Sequence, residues 1–253
     1  ANGFQFWVRD LQASDSFEFG DPDFSDQHYI SSISSVDGNL GNFHASVATD
    51  TDGVGGAGLI DWNYSVANTK LEYLAAGETR SESFNITVSD DHGATFDHTV
   101  DIDITGTNDG PAITSSDTYG TVKRFAVADP GRNYYDHGFI EFSDFDLTDS
   151  HEVRVSSLSP DNDGFLTAVV VEDSTGTGNG LIEWEYRVPD SGLTDLAAGT
   201  YTFDEFRIEL DDRNGGIIQE DVRVRVGGDD LYRTSNSFSA EFNADNQSLW
   251  GTD

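Results

Sequence analysis

Residues 59–66 read Leu-Ile-Asp-Trp-Asn-Tyr-Ser-Val, and residues 181–188 read Leu-Ile-Glu-Trp-Glu-Tyr-Arg-Val. The match sets Trp62 against Trp184 and Tyr64 against Tyr186. It extends in both directions. Residues 74–77 (Leu-Ala-Ala-Gly) return at 196–199, and residues 84–88 (Phe-Asn-Ile-Thr-Val) return at 206–210 as Phe-Arg-Ile-Glu-Leu. Upstream, residues 19–26 (Phe-Gly-Asp-Pro-Asp-Phe-Ser-Asp) return at 142–149 as Phe-Ser-Asp-Phe-Asp-Leu-Thr-Asp. A period of this size means two copies of one domain in tandem, each large enough for its own core. What the copies share is therefore core or common chemistry.

The pattern inside each copy is alternation. Val100, Ile102 and Ile104 alternate with Asp101 and Asp103, and Val222, Val224 and Val226 with Arg223 and Arg225. Such period-2 segments are strands with one buried face. Phe84, Ile86, Val88 and Phe206, Ile208, Leu210 mark the strands before them. Between the members of each pair lie Asp-Asp-His-Gly (90–93) and Asp-Arg-Asn-Gly (212–215), so each pair reads as a β-hairpin. Further turns are signalled at 37–39, 161–164 and 175–180. No long 3.6-residue apolar stripe occurs. Short strands with frequent turns predict an all-β chain of two immunoglobulin-like β-sandwiches.

The expected boundaries are a first domain over 1–113, with a connector at 106–113, a second over 114–232, and a tail over 233–253. Pro111 cannot donate to a sheet ladder and biases Gly110 toward an extended form, which stiffens the connector.

The 253 residues carry 47 acids against 13 bases, a formal net charge of −34. Such a field repels nucleic acid and anionic lipid surfaces and attracts divalent cations. Cysteine is absent, so no disulfide supports the fold. No apolar run approaches the roughly 20 residues of a membrane helix, and no basic-then-apolar leader opens the sequence. Export would therefore use a route without a cleaved N-terminal signal, and the chain is expected to be a monomer.

The strongest chemical motif is Asp-x-Asp-x-x-Asp, present as Asp21, Asp23, Asp26 and again as Asp144, Asp146, Asp149. Residues i and i+2 of an extended segment project to one side roughly 7 Å apart, and a turn can bring in the third carboxylate. Unpaired carboxylates repel by roughly 4 kcal/mol at 4 Å and an effective dielectric of 20. A hard cation removes that repulsion. Ca²⁺ accepts six to eight oxygens in flexible geometry, whereas Mg²⁺ demands a tighter octahedron. The motif is not an EF-hand, because Asp26 and Asp149 stand where that loop needs glycine. For either copy alone a solvated acidic turn and a metal site are equally good readings; recurrence in both favours metal. Asp90 and Asp91, Asp211 and Asp212 in the hairpin turns, and Asn108 and Asp109 in the connector, are further candidate ligands. Alone, each such pair is a turn former. His28 and His151 recur just past the clusters, as neighbours rather than ligands, since Ca²⁺ prefers oxygen to imidazole.

Trp62, Tyr64, Trp184 and Tyr186 alternate along strands and read as core. Tyr134, Tyr135 and Trp7 (with Phe4 and Phe6) break the alternation and are candidates for sugar-stacking platforms. Catalysis finds little support. His-Glu-x-x-His, Gly-x-Ser-x-Gly and phosphate-loop motifs are all absent, and the repeated acids fall in turns rather than in one cleft. The chain is therefore read as a binding protein and not an enzyme.

Residues 140–151 (Ile-Glu-Phe-Ser-Asp-Phe-Asp-Leu-Thr-Asp-Ser-His), then 180–186 and 196–199, resemble the cadherin-like VCBS repeat of bacterial RTX-type adhesins. Residues 90–93 and 104–111 (Ile-Thr-Gly-Thr-Asn-Asp-Gly-Pro) match the end of the same repeat. The resemblance covers most of 17–113 and 139–230. It implies tandem cadherin-like sandwiches that bind Ca²⁺ outside the cell, exported by type I machinery through an uncleaved C-terminal signal, here the tail. The two-domain layout is similar to the Rap-type adhering lectins of rhizobia, which implies Ca²⁺-dependent binding of acidic exopolysaccharide in adhesion and the biofilm matrix. Two features depart from the pattern: Pro22 stands where the second copy has Phe145, and the second copy lacks the Asn-Asp-Gly-Pro connector. An extender module of a large adhesin, stiffened by Ca²⁺, is the different-class alternative, and an accessory domain of a polysaccharide lyase or hydrolase is a third.

Overall fold

A computed structural model of the chain describes residues 10–36, 38–51, 56–124, 131–194, 196–197 and 199–228. Trp7, Phe4, Phe6 and the tail beyond 228 lie outside these. Among the described residues regular structure is almost entirely strand, broken by two short 3-10 turns, and no helix is long and apolar enough to cross a membrane. The chain divides into two compact units, 1–109 and 110–253.

The first unit contains β1 (Leu11–Gly20), β2 (His28–Ser35), β3 (Asn42–Thr49), β4 (Ala57–Val66), β5 (Thr79–Asp90) and β6 (Thr95–Thr105). One sheet runs β1-β4-β3 and the other β2-β5-β6, with every pair antiparallel. The predicted alternation is seen directly: Val100, Ile102 and Ile104 are buried while Asp101 and Asp103 face water. Ile60 and Tyr64 from one sheet pack with Phe84, Ile86 and Val88 from the other. Full burial of each such aliphatic side chain is worth about 1.5–3 kcal/mol.

The second unit contains β7 (Ala112–Ser116), β8 (Tyr119–Lys123), β9 (Asn133–Ser143), β10 (Glu152–Ser157), β11 (Phe165–Glu172), β12 (Asn179–Pro189), β13 (Tyr201–Asp211) and β14 (Ile217–Gly227). Its sheets are β11-β12-β9-β7 and β10-β13-β14-β8, with β8 parallel to β14. Strand β7 starts at Ala112, so residues 112–113, read from sequence as connector, belong to this unit's sheet.

The segments that matched in sequence are β4 and β12. Trp184 and Tyr186 are fully buried, Tyr64 nearly so, and Trp62 stacks on Phe43 with centroids 5.6 Å apart. Each tyrosine also does something the sequence did not announce. Tyr64 Oη donates to Glu82 at 2.9 Å, and Tyr186 Oη donates to Asp204 at 2.7 Å. Glu82 also accepts from the Leu40 N–H, and Asp204 from the Gly164 N–H, both at 2.7 Å. A buried carboxylate thus ties the β2–β3 loop of the first unit and the β10–β11 loop of the second to the core. Burial, and then the hydrogen bond to the carboxylate, push both phenols well above their ordinary pKa. Gly164 is needed for close approach, since a Cβ there would overlap the Tyr186 ring.

Candidate metal centres

In each unit two turns meet at one end of the sandwich. One follows β1 or β9 and carries the Asp-x-Asp-x-x-Asp motif; the other joins β5 to β6 or β13 to β14. The first turn is shaped by its own acids. The Asp23 N–H donates to Asp21 Oδ1 at 2.8 Å, and the Asp146 N–H to Asp144 Oδ1 at 2.9 Å. The Asp26 N–H then reaches the Asp23 carbonyl and the Asp149 N–H the Asp146 carbonyl, each at 3.0 Å. In the hairpin turns Asp90 accepts from the N–H groups of His92 and Ala94, and Asp212 from those of Asn214 and Gly216. Gly93 and Gly215 close these turns at φ of +100° and +115°, where a side chain would be strained. Those N–H donors, outweighing burial, hold the Asp90 carboxyl below the usual carboxylate range.

The result is a convergence of carboxylates. In the second unit Asp144, Asp149 and Asp212, all buried, each offer an oxygen within 4.8 Å of the others. In the first unit Asp21, Asp26 and Asp90 do the same, and Asp26, Asp91 and His92 form an adjoining set. Asp149 is 4% exposed, and its Oδ2 is buried with no hydrogen-bond partner. A buried, unpartnered carboxylate oxygen beside two more carboxylates is costly in an apo protein. An all-oxygen donor set suits a hard cation, with Ca²⁺ the best match among the common ones. The donors present therefore fit such an ion.

Two imidazoles complete the arrangement. His28 Nδ1 lies 2.7 Å from Asp50 Oδ1 and Nε2 lies 3.1 Å from Asp21 Oδ2. His151 repeats this with Asp173 and Asp144 at the same two distances. Burial alone would lower the His28 pKa; the hydrogen bonds to Asp50 and Asp21, with their charges, outweigh it and raise it. Each ring holds one cluster carboxylate in place and is itself held by an aspartate on the far side. Asp50 and Asp173 were not anticipated as part of the site. The signal was present in the repeat, as Asp50-Thr51 against Asp173-Ser174, but nothing local tied it to the motif. In the first unit His92 Nδ1 approaches Asp91 at 3.0 Å and Asp26 at 3.3 Å, and the charges of Asp26 and then Asp91 raise its pKa. The second unit has Asn214 at the equivalent position, so its turn lacks this imidazole.

Not every anticipated residue joins a cluster. Asp23 is exposed and Asp146 is fully buried, and neither belongs to the convergent oxygen sets. Asp211 is ion-paired with Arg154 at 3.2 Å and stands outside the cluster that its neighbour Asp212 completes. Alternation along β13 explains the split, since adjacent residues leave opposite faces. Asp109 belongs to neither set and lines a small cleft with Leu11 and Leu71, and Asn108 is half-buried. Of the stacking candidates, Tyr135 is 53% exposed. The expectation fails for Tyr134. It is buried, its hydroxyl donates to Asp190 at 3.2 Å, and it presents no ring face to solvent.

Comparison with protein-family models and with curated proteins gives no match. Among solved structures, similarity is found to the CfaE adhesin of enterotoxigenic E. coli (12% identity, TM-score 0.38), over 70% of this chain and 64% of that one. Mouse protocadherin PcdhgC3 EC1-3 is similar at 14% identity and TM-score 0.35, over 85% and 61%. The CupB6 tip adhesin of Pseudomonas aeruginosa is similar at 8% identity and TM-score 0.32, over 87% and 90%. This chain thus spans under two thirds of the first two proteins' length. The likenesses are too remote to assign a role.

Proposed function

We propose that the chain is a Ca²⁺-dependent carbohydrate-binding adhesin that works outside the cell and recognises an acidic exopolysaccharide. One observation carries the metal part: the buried, unpartnered Asp149 Oδ2 amid oxygens of Asp144 and Asp212. In this reading Asp144, Asp149 and Asp212 hold one ion, and Asp21, Asp26 and Asp90 hold another. The ion supplies positive charge that joins two turns at the end of each sandwich. The glycan part rests on the VCBS-like segments and on charge. A protein at −34 repels an acidic polymer unless divalent ions neutralise or bridge the two.

The test is calorimetric titration of the intact chain with Ca²⁺, followed by glycan binding with and without chelator. Saturable Ca²⁺ binding and chelator-sensitive capture of acidic polysaccharide are expected. Ca²⁺ binding with no glycan captured, across acidic and neutral polymers, would leave an extender role. Absence of Ca²⁺ binding would remove the reading altogether.

A further inference from the structure

The two units are repeats, so each serves as a reference for the other. Antiparallel register places three rows of side chains on the outer face of the second unit's β11-β12-β9 strands. They are Phe165–Arg187–Tyr135, Thr167–Glu185–His137 and Val169–Glu183–Phe139. All nine are exposed, with Phe165 63%, Val169 55%, Tyr135 53% and Phe139 36% exposed. The equivalent rows on β3-β4-β1 of the first unit are Asn42–Ser65–Gln12, His44–Asn63–Ser14 and Ser46–Asp61–Ser16. One copy has a polar surface where the other has three aromatic rings and a valine.

The second unit's opposite sheet is also different. There Arg154 pairs with Glu152 and Asp211, Arg207 with Asp221, and Arg223 with Glu205. Arg223 lies over Phe203, and Arg225 over Tyr201. Its charges and rings satisfy one another. On the aromatic face, among the described residues, the side chains of Glu183, Glu185 and Arg187 have no ion-pair or hydrogen-bond partner. A groove of about 520 Å³ runs between the second and third rows, lined by those rows, by Ala168, Trp184 and Gly138 between them, and by Asp117. That volume falls in the range of small-ligand sites.

We propose that this groove is a glycan-binding site and that it takes neutral sugar residues, a claim that rests on the carbohydrate-binding reading above. The chemistry selects the occupant. Ionised Glu183 and Glu185 only accept hydrogen bonds, and sugar hydroxyls donate them. Thr167 and His137 can donate or accept beside them. Phe139 in the groove, and Tyr135 and Phe165 in the row beside it, offer flat apolar faces to the C–H faces of pyranose rings. Two unpaired carboxylates in the central strand repel a uronate. The acidic polymer would therefore be gripped here through its uncharged residues, while its acid groups lie elsewhere. A second copy of the chain is a poor occupant, since two chains of net charge −34 repel each other.

The experiment is calorimetric titration of the intact chain in Ca²⁺ with neutral gluco- and galacto-oligosaccharides, the matching uronate oligosaccharides, and a Lys-rich peptide. The groove variants are Phe139→Ala and Glu185→Gln, joined by Tyr135→Ala in the row beside it, with His44→Ala on the first unit and Tyr201→Ala on the opposite sheet as controls. A neutral oligosaccharide should bind, and each groove variant should weaken it at least tenfold with Ca²⁺ affinity and melting temperature unchanged. The controls should bind as the wild type does. If the wild type binds sugar and the groove variants bind it equally well, the site is wrong while the glycan reading stands. Preference for uronates, or for the peptide, overturns the neutral-sugar assignment. No binding of any glycan overturns the site and the reading it rests on.

Discussion

Asp149 and Asp212 come from different turns, one after β9 and the other between β13 and β14, yet their carboxylate oxygens lie within 4.8 Å of each other. Both side chains are buried, at 4% and 1% exposure. Asp212 has backbone N–H groups for company; Asp149 Oδ2 has nothing. This pair is where the fold and the proposed ion depend on each other.

Ca²⁺ should stabilise the chain. An ion at 100 times its dissociation constant adds about 2.7 kcal/mol per site. Thermal melting in Ca²⁺, Mg²⁺ and chelator checks this: the expected order is Ca²⁺ highest, then Mg²⁺, then chelator. Coincident curves would contradict metal binding.

Asp149→Asn should have opposite effects with and without the ion. Two carboxylate oxygens within 4.8 Å of each other repel by at least about 3 kcal/mol at an effective dielectric of 20. Removing one charge therefore raises stability in chelator and lowers it in saturating Ca²⁺. Asp212→Asn should weaken Ca²⁺ binding at least tenfold, while Asp211→Asn, which loses only its Arg154 pair, should change it little. Equal losses at 211 and 212 would point to diffuse charge instead of a site.

Tyr186→Phe should destabilise the second unit by about 1–3 kcal/mol, because it removes a donor from a carboxylate that stays buried. Tyr64→Phe should do the same in the first unit. Denaturant unfolding of the two variants measures it, and a loss under about 0.5 kcal/mol would show that Asp204 and Glu82 find other donors.

Acid should destabilise the chain through Asp50 and Asp173. Both are held below the ordinary carboxylate value despite burial, by the N–H and ring of His28 and of His151. A depressed carboxyl contributes stability above its unfolded pKa, near 4, and loses it as pH falls through the lower folded value. Unfolding midpoints in chelator should therefore drop below about pH 4, and the drop should shrink in Asp50→Asn and Asp173→Asn. An unchanged acid limb in both variants would assign it to other groups.

The β-sandwich pair was legible because its determinants are local and were stated twice. Alternation at 100–104 and 222–226 gives strands whatever surrounds them, and Asp-rich turns with Gly93 or Gly215 close each hairpin. The acidic motif was legible for the same reason. Which acids converge was not. Asp211 and Asp212 look equivalent in sequence, and the strand's alternation sends one to Arg154 and the other into the cluster. Tyr134 and Tyr135 are likewise neighbours, and β9 buries one and exposes the other.

By itself, then, the sequence determined the strand content, the duplication, the charge and the types of residue available to bind a cation, since each depends on short-range pattern or composition. Only the tertiary structure decided that Asp50 and Asp173 brace the histidines, that Glu82 and Asp204 are core acids, and that one outer face carries Tyr135, Phe139 and Phe165 in register with Glu183 and Glu185. Those outcomes depend on which strands pair and in what register, and a one-residue slip would send every one of these side chains to the other face.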